Sequence, residues 1–197
     1  MGKKIDFDYL YDIIDSALQK AESFTLAIDG GSASGKSTLA GDILSEFGEN
    51  NITVFHMDDF YLRPEQRTEE RFSEAGGNVD RERFLQEILE PLSKGTREIL
   101  YRPLECKTFT ITEGRVVFPK RIRIIEGAYS HHPDLRDNYN LRVFLDISPE
   151  LQAHRIKRRN SIEQQQLFFD RWIPFENRYF EAFDIKERSD FYIDIRK

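Results

Sequence analysis

The 197-residue chain predicts an α/β fold built on a mainly parallel central sheet. Three observations carry that reading. Short apolar runs of strand length alternate with longer stretches of helical period. The runs "FTLAI" (24–28), "RIRIIEG" (121–127) and "LRVFLDIS" (141–148) read as buried strands. The stretch "DGGSASGKST" (29–38) has almost no core-forming side chain, yet it joins the first of these runs to a helical segment.

Taken in order, Phe7, Leu10, Tyr11, Ile14 and Leu18 recur at helical spacing and predict an amphipathic helix before the first strand. A helix is expected from about Lys36 to Phe47, then a strand at "NITVFHM" (51–57) that ends in "DDFY". Residues 65–78 are polar and read as a mobile, partly helical loop. Phe84, Leu85, Ile88, Leu89 and Leu92 mark one face of a helix over 81–93. "ILYRPLECKTFTITEGRVVFPK" (99–120) resembles a small antiparallel excursion, with Glu113-Gly114 at its hairpin turn. Residues 149–159 are helical and carry the cationic run "HRIKRR"; 162–183 are helical with an interruption near Pro174. "FYIDI" is the last strand. One domain over 1–197 is expected, with an N-terminal helix at about 1–22, a hairpin insertion at about 98–120 and a lid region at about 150–170.

Twenty-nine basic residues against 35 acidic ones give a net charge of −6, which argues against a broad nucleic-acid footprint. The single cysteine, Cys106, cannot close an internal disulfide and suits a reducing compartment. No apolar run approaches the ~18 residues of a membrane span. "MGKKIDFDYL" has no signal-peptide h-region, and Asp6 fails the myristoylation pattern. A cytoplasmic protein without nucleic-acid or membrane partners is the expectation, with homo-oligomerisation left open.

Residues 30–37, "GGSASGKS", satisfy G-x-x-x-x-G-K-[ST] between a predicted strand and a predicted helix. Small residues are needed where backbone N–H groups must surround a phosphate, and the helix that follows adds its positive end. Gly30, Gly31, Ser32, Ala33, Ser34, Gly35, Lys36, Ser37 and Thr38 are therefore the expected nucleotide-binding set. Lys36 can reach the β- and γ-phosphates of ATP, and the Ser37 hydroxyl can bind Mg²⁺. The fold expected is thus a three-layer P-loop NTPase fold, with helices on both faces of the sheet and the small antiparallel excursion.

In an open α/β sheet, ligands gather outside the carboxyl ends of the strands. Two further strands end in carboxylates there, at Asp58-Asp59 and at Glu126. Such a rim suits phosphoryl transfer, in which one carboxylate takes the acceptor hydroxyl proton and another group supports Mg²⁺. Helix capping and solvation are the competing readings. Asp146 also ends a strand, but Ser148-Pro149 after it looks like a helix start, so it is read as structural. Arg155, Arg158 and Arg159 share one helix side and form either a solvated face or a closing lid.

"GGSASGKS", "MDDFY", "GNVD", "IIEGAY" and "RIKRRN" occur in the order and rough spacing of the uridine kinase and phosphoribulokinase family. Over about residues 24–160 the chain resembles that family, its uridine kinase-like branch most of all. The resemblance implies ATP-dependent phosphorylation of a small-molecule hydroxyl, with a nucleoside such as uridine or cytidine as acceptor. It places Asp58 as general base, Asp80 on ribose hydroxyls and Glu126 near Mg²⁺; Arg158 and Arg159 fall in the lid as catalytic cations. Tyr61 and Arg102 complete the substrate-binding set. The chain departs from the pattern where Leu104-Glu105 replaces a Tyr-Asp pair and no histidine follows, and where Arg159-Asn160 replaces Arg-Asp. "FFDRWIPFENRYFEAF" (168–183) has no counterpart either, and its aromatic residues read as core, interface or acceptor pocket. Pantothenate, nicotinamide riboside, sugars and sugar acids are the alternative acceptors. A nucleotide-binding protein without turnover is a further alternative. A GTPase switch is disfavoured, because Asn-Lys-x-Asp and Asp-x-x-Gly segments are missing.

Overall fold

The computed structural model describes residues 2–195. Its core is a parallel sheet whose strands lie in the order β1 (Lys3–Ile5), β10 (Phe191–Ile195), β9 (Leu141–Ile147), β2 (Phe24–Gly30), β8 (Ile122–Glu126) and β3 (Ile52–His56). Alternate side chains leave opposite faces of a strand. Leu26 and Ile28 therefore enter one core with Ile124, Val143 and Leu145, while Ala27 enters the other with Ile125 and Phe144. Both faces are covered, which gives the three layers expected.

The first core is closed by α1 (Phe7–Lys20), through Leu10, Ile14 and Ala17, and by α2 (Lys36–Phe47), through Leu39, Ala40 and Ile43. Asp6 caps α1, its Oδ1 accepting from the Tyr9 N–H at 2.9 Å. The second core takes Phe84, Ile88, Leu89 and Leu92 from the predicted helix, which runs through α4 (Arg81–Phe84), a π turn at Leu85–Leu89 and α5 (Glu90–Ser93). Residues 65–78 include the short helix α3 (Glu69–Ser73). The predicted helix over 149–159 is α6 (Pro149–Arg159), capped by Ser148 as expected for that segment. After it come α7 (Ile162–Leu167), a second π turn at Phe168–Trp172, α8 (Ile173–Phe183) and α9 (Ile185–Arg188). Tyr179 of α8 is fully buried, and Phe180 and Phe183 pack on the second core, so this end of the aromatic segment is core. No helix among the described residues is long and apolar enough to cross a membrane.

Two expectations change. The N-terminal strand β1 was not predicted: Lys3, Lys4 and Ile5 are too few and too polar to carry a strand pattern, and pairing with β10 defines it. The excursion is two stacked ladders, β4 (Ile99–Tyr101) with β7 (Arg115–Val117) and β5 (Leu104–Glu105) with β6 (Thr110–Ile111). Its tip is therefore at residues 106–109, not at Glu113-Gly114. Gly114 instead marks the break between the ladders: its φ is 81°, and a Cβ there would lie 2.4 Å from the Tyr101 carbonyl oxygen.

Candidate active site

The carboxyl ends of β2, β8 and β3 meet around residues 30–37. At Gly30 the chain leaves β2 with φ 149°, and a Cβ would come within 2.5 Å of the Leu145 carbonyl oxygen, so only glycine fits. Ala33 holds φ 62°, the left-handed region that a phosphate-wrapping loop requires. The Lys36 ammonium donates to the carbonyls of Gly30 (2.8 Å) and Gly31 (3.0 Å), closing the loop on its own lysine. Ser34 Oγ is buried with no protein partner, an orphaned hydroxyl inside the cradle that an anionic oxygen would satisfy. Thr38 follows on the first turn of α2.

Register places Ile28, Glu126 and His56 side by side across three strands. Glu126 is buried and accepts from Ser37 Oγ at 3.1 and 3.2 Å, and its Oε1 lies 2.5 Å from His56 Nδ1. That bond is the largest influence lifting the His56 pKa above its ordinary value. A hydroxyl and a carboxylate are the hard oxygen ligands that Mg²⁺ prefers. Among the described residues no cluster of three His, Cys, Asp or Glu side chains forms a metal cage.

Asp58 and Asp59 belong to a 3₁₀ turn, Met57–Phe60, directly after β3. Their environments differ. Asp59 accepts a short hydrogen bond from the buried Tyr101 hydroxyl, and its backbone carbonyl accepts from Arg83. Asp58 is exposed at the surface, although protein groups crowd around it. That crowding raises its pKa, with the Lys36 charge pulling the other way and Glu126 adding to the rise. Tyr61 donates to Asp58 Oδ1 at 3.1 Å. "DDFY" and "GNVD" also pair directly, through a Tyr61–Val79 bridge and a 2.7 Å bond from the Asp80 N–H to the Phe60 carbonyl.

Lys36, Ser37, Glu126, Asp58 and Tyr61 thus converge. Asp80 and Arg102 are held by protein groups instead. Asp80 is buried at the start of α4, accepting from the Arg83 N–H and from Gln66 Nε2 at 2.8 Å. Arg102 pairs with Glu87. Arg158 and Arg159 line a cleft of about 1170 Å³ with Phe7, Tyr11, Gly35 and Thr38; neither Asp58 nor Glu126 lines it. The α6 arginines therefore flank the loop on its other side. Arg155 donates from there to the carbonyls of Ala33 (3.0 Å) and Ser34 (3.3 Å), and Gln152 to that of Ser32 (2.9 Å).

One site residue escaped the sequence reading. Glu176 on α8 is buried and accepts from Ser32 twice, from its N–H at 2.8 Å and its Oγ at 2.5 Å. Burial raises its pKa, against the pull of Lys36. One turn on, the Tyr179 hydroxyl donates to Asp29 at 2.8 Å, just before the loop. The signal was a carboxylate on the apolar face of a helix, level with Tyr179 and Phe180.

No protein-family model matches the chain. Uridine kinase-like protein 3 of Arabidopsis thaliana is 25% identical over 186 residues, covering 90% of this chain and 39% of that protein. A uridine kinase of Clostridium perfringens is 28% identical over 138 residues, covering 66% of this chain and 64% of that protein. The chain thus spans less than two thirds of either relative. Among solved structures, one titled a possible uridine kinase from Bacillus stearothermophilus superposes with a TM-score of 0.72 at 25% identity, over 95% of this chain and 96% of that one. The chain resembles uridine kinase-like proteins well beyond its phosphate loop, and its fold is that of the P-loop kinases.

Proposed function

We propose that this chain, similar as it is to uridine kinase-like P-loop kinases, is a kinase that transfers the γ-phosphate of ATP to a hydroxyl of a small molecule. The observation that carries the reading is the convergence of Asp58, Glu126 and Lys36 at adjacent strand ends around one phosphate loop. Residues 30–38 supply N–H groups and the orphaned Ser34 hydroxyl to the phosphates. Lys36 exchanges the carbonyls of Gly30 and Gly31 for phosphate oxygens. Ser37 and Glu126 would hold Mg²⁺, which would supply positive charge to those oxygens.

Asp58 is the base. Its carboxylate is exposed and accepts from Tyr61, whereas the Asp59 carboxylate is taken by the buried Tyr101. Asp58 accepts the proton as the acceptor oxygen bonds to the γ-phosphorus and the bond to the ADP oxygen breaks. Tyr61 fixes the carboxylate by its hydrogen bond. Arg158 and Arg159 form the cationic wall of the donor flank, where Phe7 and Tyr11 add aromatic faces for a base.

The test is ADP release with ATP·Mg²⁺ over a panel that includes uridine, cytidine, pantothenate, nicotinamide riboside, sugars and sugar acids. Asp58→Asn is expected to abolish release while ATP still binds. Near-normal turnover in that variant would remove Asp58 from the role. Absence of both release and nucleotide binding in the unmodified protein would overturn the kinase reading itself.

A further inference from the structure

Glu126 is a buried carboxylate, and the donors it bonds decide which way it points. Ser37 Oγ lies at 3.1 and 3.2 Å from its two oxygens, a long, divided bond from a hydroxyl that is free to rotate. His56 Nδ1 lies 2.5 Å from Oε1 alone. Among the described residues His56 is the basic side chain that pairs with Glu126, while the Lys36 ammonium is turned to the Gly30 and Gly31 carbonyls.

The fold holds this pair in place. His56 and Glu126 are register partners on β3 and β8, so both side chains leave the same face of the sheet. It is the face that α2 covers, and Ser37 stands on the first turn of that helix. The His56 N–H donates to the hydroxyl of the buried Tyr101 at 3.2 Å, and Tyr101 packs edge-on to Phe55 with ring centroids 5.6 Å apart. The imidazole therefore projects from backbone that is anchored on both sides. Facing a carboxylate, Nδ1 is the ring nitrogen that carries the hydrogen. Ser37 gives its hydrogen to the same carboxylate and keeps its oxygen lone pairs for a cation.

A carboxylate that supports a metal needs a hydrogen-bond partner of its own to keep its orientation, and losing that partner weakens metal binding roughly 10- to 100-fold. We propose that His56 is a positioning residue for Mg²⁺: by holding Oε1 it keeps the Glu126 carboxylate turned to Ser37, beside the phosphate loop. This rests on the reading of that loop as an ATP·Mg²⁺ site, but it can be tested without turnover.

The experiment is calorimetric titration of ATP into the unmodified chain, His56→Phe and His56→Asn, each with excess Mg²⁺ and with EDTA. The His56 side chain is 42% exposed, so a phenylalanine fits without overpacking and removes the donor alone. Asparagine returns an amide N–H close to the place of Nδ1. Mg²⁺ should tighten ATP binding by the unmodified chain. In His56→Phe that gain should shrink roughly 10-fold or more, with the affinity in EDTA unchanged, and His56→Asn should recover most of it. Where turnover occurs, the Mg²⁺ concentration for half-maximal ADP release should rise by a similar factor, with kcat at saturating Mg²⁺ less affected.

An intact Mg²⁺ gain in His56→Phe, with only a lowered unfolding midpoint, would make His56 a structural residue; the proposal would fall and the kinase reading would stand. Equal loss in His56→Phe and His56→Asn would also overturn it, because the donor would not be what matters. A Mg²⁺ gain that depends on His56, without ADP release from any acceptor, would uphold the proposal and sink the kinase reading. An unmodified chain that binds no ATP in either condition would overturn both.

Discussion

Glu176 gives both of its oxygens to one residue of the phosphate loop, and this makes hydrogen bonding separable from charge. Among the described residues Glu176 is the hydrogen-bond partner of both the Ser32 N–H and Oγ, and the loop is held on its other side by Gln152 and Arg155. Truncation in Glu176→Ala strands a half-buried N–H and a hydroxyl, so it should lower the unfolding free energy by about 1–3 kcal/mol and weaken ATP binding. Glu176→Gln is different. Its carbonyl can accept from the Ser32 N–H while its amide donates to Ser32 Oγ, which keeps both bonds and removes a negative charge beside the phosphates. That variant should unfold close to the unmodified chain and bind ATP at least as tightly. Denaturant titration and calorimetric ATP titration measure the two quantities. Equal losses in both variants would mean that the charge, rather than the hydrogen bonds, holds the loop.

At the scale of elements, two helical runs pass through a proline without stopping. Pro91 and Pro174 are each the second residue after a π turn. The residue before each proline makes the long bond, Glu90 N–H to Leu85 carbonyl and Ile173 N–H to Phe168 carbonyl. The wider turn accommodates the ring and the missing donor that break a regular helix. Periodicity marked the helix over 81–93 correctly, but the extra residue in its turn leaves no mark on an apolar stripe; at Pro174 the same device was read as an interruption. The hairpin shows what such elements are for. Its strand β4 delivers Tyr101, buried to 1% exposure, whose hydroxyl donates to Asp59 and accepts from the His56 N–H at 3.2 Å. Tyr101→Phe removes both bonds without removing the ring. It should cost about 1–3 kcal/mol in stability and, by freeing the Asp58-Asp59 turn, raise acceptor KM more than ATP KM. Steady-state kinetics with each substrate varied would show it. An equal rise in both KM values would detach Tyr101 from the acceptor side.

For the molecule as a whole, what was legible depended on how local the signal is. The order of strands and helices, and the loop at 30–37, follow from contiguous residues. Glu176 is 144 positions from Ser32, and the pairing of Lys3–Ile5 with Phe191–Ile193 joins the two ends of the chain; only packing brings such groups together. The same holds for His131 and His132, which the sequence leaves unremarkable and the fold buries. Burial pushes both below their ordinary value, His132 to about 4, where Arg81 adds to the shift and Asp134 opposes it. His132 accepts from the Asp134 N–H at 3.2 Å and lies against Tyr179, the residue that bonds Asp29 beside the phosphate loop. In the unfolded chain a histidine takes up its proton near 6.5. Between that pH and about 4 the unfolded state therefore binds more protons than the folded one, and stability falls as pH falls through this window. His131 and His132 thus lower the unfolding midpoint between pH 7 and pH 4.5, against His56, Asp58 and Glu176, whose raised pKa values act the other way. His132→Phe keeps a ring against Tyr179 and has no proton to gain, so its midpoint should fall less steeply over the same range, even if it starts lower. Parallel slopes in the two proteins would assign the acid sensitivity to other groups and leave His132 as packing alone.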